Sequence, residues 1–225
     1  MNTYWFLFIG TALASWLVSA FFNSRMKKYS NIALDRNLTG ADIARKMLND
    51  SGIHDVQVVA TGGSLTDHYN PLNKTVNLSQ DVYSSVSVAA AAVAAHECGH
   101  AIQHANAYAP LKLRSALVPA VNFSSKYVMW LLLGGMLLIK TFPFLMLAGI
   151  VLFSLTTLFS FVTLPVEIDA SRRALVWLRG EGITNNTLQP MAESALRAAA
   201  YTYVVAALSS LATLIYYIMI FTRRN

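Results

Sequence analysis

Apolar runs of bilayer-spanning length constrain this chain more than any other feature. Residues 3–22 read TYWFLFIGTALASWLVSAFF, Phe144 to Leu164 is almost wholly apolar, and Tyr203 to Phe221 is the last such stretch. Each is close to the ~20 residues that a helix needs to cross the hydrocarbon core. In lipid the backbone must satisfy its own hydrogen bonds, so these runs are expected as helices. A fourth run begins around Val118 to Val121 and reaches Ile139, with Lys126 near a boundary or snorkelling towards it. Lys140-Thr141-Phe142-Pro143 is a short connection, so this run and the next form a hairpin.

The N-terminal run has no basic segment before it and no cleavage-site pattern after it, which predicts a retained anchor. Arg25, Lys27 and Lys28 follow it, and Arg172, Arg173 and Arg179 follow the hairpin. The positive-inside rule places these flanks in the cytoplasm and the N-terminus outside. Four spans would leave Arg223 and Arg224 outside, against that rule. Composition agrees with a membrane chain: 55% of residues are hydrophobic and 12% charged, where soluble domains carry about a quarter charged. A net charge of +6 in a soluble chain would raise nucleic acid as a partner. Here the cations cluster beside apolar runs, so the expected partner is the lipid bilayer, with no nucleic acid. The single cysteine, Cys98, excludes an internal disulfide.

Between the first two spans lies a soluble portion. Thr39-Gly40-Ala41-Asp42 opens a helix to about Asn49, with Ile43, Ala44 and Met47 as its apolar stripe. Val56 to Val59, Leu65 to Tyr69 and Lys74 to Ser79 read as strands, separated by turns at Gly62-Gly63 and Asn70-Pro71-Leu72-Asn73. A helix from near Val86 to about Asn106 then carries AAAAVAAHECGHAIQH.

Within it, His96-Glu97-Cys98-Gly99-His100 matches H-E-x-x-H. On a helix, residues four apart lie about 40° apart and ~6 Å along the axis, so both imidazoles can reach one metal ion. Glu97, about 100° round from His96, is placed as a general base rather than a ligand. The chain has five histidines, three of them within nine residues. Cys98 faces the opposite side and reads as core. A hydrolytic zinc site wants three protein ligands and an open position. His104 is on the same broad face, but about 12 Å along the axis from His96, which favours a supporting role. His54 and His68 read as surface or structural residues. Glu167 is the stronger candidate: it follows an apolar run, where a carboxylate is costly unless paired or ligating. The two intervening crossings would return it to the face of the membrane where His100 lies. The competing reading pairs Glu167 and Asp169 with Arg172 or Arg173.

HECGHAIQH, followed after a hairpin by PVEIDASRRA, resembles the YugP-type family of membrane zinc metallopeptidases, as do the stretches Thr66 to Pro71 and Lys74 to Ser79. The resemblance covers nearly the whole chain. A more distant similarity is to HtpX-type and CAAX prenyl endopeptidases, where a glutamate ligand in an E-x-x-x-D pattern follows a membrane hairpin. The resemblance implies zinc held by His96, His100 and Glu167, with Glu97 as base. One departure is that Ser171 stands four residues after Glu167, where the distant relatives carry aspartate. His104, Asp169 and Ser171 are therefore the candidates to orient a ligand from behind, and Tyr69, Tyr108 and Arg172 to stabilise an oxyanion.

The expected architecture is a mostly α membrane protein with about four transmembrane helices and a small α+β, zincin-like metallopeptidase part. The divisions read as an anchor over 1–24, the soluble part over 25–112, a hairpin over 113–164, a helical segment with the third ligand over 165–200, and a last span over 201–225. The expected activity is that of a zinc metalloendopeptidase in the bacterial cytoplasmic membrane, with its site on the cytoplasmic face. The alternatives are cleavage within the bilayer, or a non-catalytic scaffold or chaperone that keeps a zinc site.

Overall fold

The computed structural model describes residues 2–223. Its helices are α1 (Asn2–Ser30), α2 (Gly40–Asp50), α3 (Gln80–Tyr83), α4 (Val88–Ala105), α5 (Ala109–Leu137), α6 (Pro143–Gly180) and α7 (Gln189–Thr222). Three strands, β1 (Gln57–Thr61), β2 (His68–Asn70) and β3 (Thr75–Ser79), stand between α2 and α3. This is the mostly α architecture with a small α+β part that the sequence predicts. Two compact units divide it: residues 2–18, 112–164 and 202–223 form one, and residues 19–111 and 165–201 the other.

Four helices, α1, α5, α6 and α7, are long and apolar enough to cross a membrane. In the first unit α5 and α6 approach closely because glycines meet there. A Cβ on Gly135 would lie 2.5 Å from Met146 Cα, and one on Gly149 would meet Leu132. Small residues that bring backbones together are how helices associate in lipid. Leu132, Met146 and Ile150 form the core of this unit, and Ser124 Oγ donates to the Leu152 carbonyl at 2.7 Å. Trp5, Phe6, Trp130 and Phe144 point outward, as the lipid-facing side of a spanning helix requires.

The helical segment expected from residue 165 continues the preceding span without a break, because α6 runs through Pro165. Proline removes one N–H and so one rung of the ladder, a local loss that a 38-residue helix absorbs. The same continuity carries α7 from Gln189 through the last apolar run to Thr222. Arg224, expected beside Arg223 at the end of that span, lies outside the described residues.

The second unit is built around α4. Thr39 caps α2 with a reciprocal capping box to Asp42, and Ile43, Ala44, Met47 and Leu48 are buried against the alanine-rich α4. Burying a large aliphatic side chain such as Ile43 or Met47 stabilises by roughly 1.5–3 kcal/mol. Cys98, fully buried, directs its sulfur at the Ala44 carbonyl, which is the core position expected for it, and burial pushes its thiol pKa up. Ser87 caps α4, and its segment bridges to Ala33 beyond α1.

The sheet order is β1-β3-β2, with β1 parallel and β2 antiparallel to β3. The β2–β3 turn is held by Asn70 Oδ1, which accepts from the Leu72 and Asn73 amides. The expected strand from Leu65 starts only at His68, because Gly63 and Leu65 both adopt positive φ and interrupt extension. Removing the α2 cap in Thr39→Ala is expected to cost about 1 kcal/mol, read as a lowered Tm with zinc content unchanged.

Candidate active site

Two helices of the second unit supply the site. His96, Glu97 and His100 stand on α4, and Glu167 on α6, all buried apart from the partly exposed His96. Their meeting depends on Gly99. A Cβ at that position would lie 2.6 Å from the Ala170 carbonyl oxygen and 3.0 Å from Ala170 Cα. Only a glycine lets the α6 backbone pass this close to α4, one turn from Glu167.

The three donors face one point. His96 Nε2 is 3.2 Å from Glu167 Oε2, and His100 Nε2 is 3.5 Å from the same oxygen. All three ligand atoms lie within 4.8 Å of one another. Ligands ~2.0–2.1 Å from an ion at tetrahedral angles stand ~3.4 Å apart, and two imidazoles with one carboxylate make a donor set of catalytic zinc. The residues therefore fit zinc.

A group stands behind each imidazole, and behind His100 it selects the tautomer. Gln103 is fully buried. Its amide nitrogen donates to the Val166 carbonyl at 2.8 Å and to Asp169 Oδ2 at 3.0 Å. Its Oε1 is therefore the acceptor for His100 Nδ1 at 3.1 Å, so the ring keeps a proton on Nδ1 and Nε2 is the nitrogen that faces Glu167 and would ligate once deprotonated. Asp169 is held in turn by Arg172 at 2.7 Å and Arg173 at 2.5 Å. Ser171 Oγ lies 3.1 Å from His96 Nδ1. The serine thus stands behind His96, and Asp169 reaches His100 through Gln103.

Gln103 is the residue that sequence reasoning passed over as a polar flank of α4. Its spacing, three after His100, was the available signal. The arginine pairing that competed for both acids divides: Asp169 takes Arg172 and Arg173, while Glu167 meets the histidines. His104 is exposed, with Nδ1 2.8 Å from the Tyr69 hydroxyl. His54 and His68 are exposed, and His68 Nδ1 meets the Thr66 carbonyl. Among the oxyanion candidates, Arg172 is engaged by Asp169 and Tyr108 lies under the Arg173 guanidinium. Tyr69 stands on β2, and its backbone N–H donates to Glu97 Oε2 at 3.0 Å.

Comparison with known proteins agrees with this geometry. Residues 4–222 match a family described as "putative neutral zinc metallopeptidase". The chain belongs to that family. The protein is 44% identical over 198 residues to "Putative membrane protease YugP" of Bacillus subtilis (strain 168), covering 88% of this chain and 87% of the relative. No solved structure matches it. Membership in the family makes the chain a zinc metallopeptidase, and the four apolar helices agree with the membrane character of its relative.

Burial alone would lower the His100 pKa, but the hydrogen-bonded Glu167 carboxylate and the nearby Glu97 charge outweigh it and hold it above its ordinary 6.5. The protonated ring favours the metal-free protein, and that contribution is lost as pH rises through the raised value. Zinc needs the neutral ring. Its affinity is therefore expected to fall as pH drops through that raised value, with proton release on binding measured by calorimetry in buffers of different ionisation heat.

Gly99→Ala tests the helix contact. The new methyl meets backbone, so α6 must move and take Glu167 with it. Zinc affinity is expected to fall roughly 10–100-fold, the range seen when ligand support is disturbed, with the far-UV circular dichroism unchanged. Wild-type affinity would show that this contact does not set the ligand position.

Proposed function

We propose that the protein is a membrane-anchored zinc endopeptidase in which His96, His100 and Glu167 hold the metal and Glu97 is the general base. The observation that carries this reading is the convergence of two Nε2 atoms and one buried carboxylate on a single point, with Glu97 on the same helix. Zinc bound there would act as a Lewis acid on the scissile carbonyl and would acidify the attacking water. Glu97 accepts that water's proton and delivers it to the leaving amine. Gln103 keeps the His100 ring in the ligating tautomer, and Ser171 positions the His96 ring from behind.

The placement of β2 supports a polypeptide substrate. It is an edge strand, and its Tyr69 N–H points towards Glu97. An extended chain added along this edge would pass the base, the familiar mode of strand addition. Of the oxyanion candidates, Tyr69 is the one whose strand reaches the base, through its backbone N–H to Glu97. The basic flanks of the spans favour a site on the cytoplasmic face of a bacterial cytoplasmic membrane, with substrates at or near that leaflet.

Glu97→Gln separates chemistry from metal binding. The purified, zinc-loaded variant is expected to cleave an unfolded polypeptide about 10²–10⁴-fold more slowly than wild type, with zinc content retained. Cleavage at the wild-type rate would end the general-base assignment. Loss of zinc in Glu167→Ala, against retention in His104→Ala, is the expected ligand result, and the reverse pattern would overturn the ligand set.

A further inference from the structure

A groove of about 450 Å³ lies between α6 and α7 in the second unit. Ile168, Arg172, Val176 and Arg179 line it from one face of α6, and Glu193 and Arg197 from α7. Three guanidinium groups thus share the groove with one carboxylate. Arg172 is engaged by Asp169. Among the described residues, Arg179 and Arg197 have no ion pair, although both are exposed. Ile168 and Val176, 54% and 69% exposed, alternate with the α6 cations Arg172 and Arg179. Exposed apolar side chains alternating with cations suit an amphiphile better than water.

The position along the helices points to the same ligand. From Pro143 to Val166, α6 carries no charged residue, and Arg172 follows about two turns after Leu164. From Ala198 to Thr222, α7 carries none either, and Arg197 immediately precedes that run. Both helices are long and apolar enough to cross the membrane. The groove therefore lies where each passes from its apolar run into its charged part. Basic pockets between spanning helices at that level suit anionic lipid headgroups, and the planar guanidinium fork matches phosphate oxygens.

We propose that this groove binds an anionic phospholipid of the surrounding bilayer. Its phosphodiester is held by Arg179 and Arg197 with Arg172 beside them, and an acyl chain covers Ile168 and Val176. Ser171 also lines the groove and meets His96 Nδ1, so the lipid lies directly behind the candidate metal centre. The proposal rests on the groove and the membrane spans, and is independent of the peptidase mechanism.

The test uses the full-length, zinc-loaded protein in nanodiscs of phosphatidylcholine with and without phosphatidylglycerol, followed by detergent release and native mass spectrometry. Wild type is expected to retain phosphatidylglycerol in preference to phosphatidylcholine. Retention should fall on the order of tenfold or more in Arg179→Gln/Arg197→Gln, and stay at the wild-type level in the charge-matched control Lys27→Gln/Lys28→Gln. Zinc content and circular dichroism establish that the variants are folded, and the lipid preference of wild type stands as a readout without any variant. Equal retention of both lipids, or undiminished retention in the folded arginine variant, overturns the proposal. So does displacement by inorganic phosphate, which would mark a site for free anions, or by an acidic peptide, which would mark a polypeptide surface.

Discussion

The contact between Gly99 and Ala170 is the constraint on which the rest of the site depends. Two imidazoles one turn apart need only a helix, but the third donor stands on another helix and must come within about 3.5 Å of both rings. Side chains at a normal helix–helix interface would hold the backbones too far apart. A glycine inside the H-E-x-x-H motif removes the obstacle, and the Ala170 backbone occupies the vacated space. The alanine-rich stretch before the motif extends this economy of volume, letting α2 pack closely on the other side of α4.

Bringing a carboxylate into a buried position raises an electrostatic cost that the surroundings must offset. Glu167 is only 3% exposed, and it is placed where two histidines can meet it. The imidazoles are fixed from behind by a chain of hydrogen bonds, Arg173 and Arg172 to Asp169, Asp169 to Gln103, and Gln103 to His100. Each group uses a capacity that its neighbour lacks: a cation, an anion, an amide with both donor and acceptor, and an imidazole. Such a chain rigidifies when every member is satisfied. Ser171 Oγ takes the corresponding place behind His96.

Much of this was legible in the residues. The H-E-x-x-H spacing and the apolar runs depend only on helical periodicity and bilayer thickness, so they could be read without tertiary information. Thr39-Gly40-Ala41-Asp42 announced the start of α2, with the cap at Thr39 or Gly40, and the structure places it at Thr39. Gln103 was less legible, because a buried glutamine on an alanine-rich helix has no signature apart from its offset from His100. Leu65 was misleading in the other direction. Its apolar side chain suggested a strand, while Gly63 and Leu65 take a left-handed backbone that ends extension. Pro165 does not break α6, because one missing N–H is a small loss within so long a ladder.

By itself the sequence determined what is local: which segments must be helices to survive in lipid, where one helix would present two imidazoles and a carboxylate, and that no disulfide would assist. These follow from periodicity, length and composition within single elements. Only the tertiary structure decided which distant residues meet. Glu167 rather than His104 joins the pair, Ser171 stands behind one ring and Gln103 behind the other, and β2 lies at the sheet edge with its amide towards Glu97. The physical reason is that these outcomes depend on interhelical distance, which a missing Cβ at Gly99 sets and no spacing along the chain encodes.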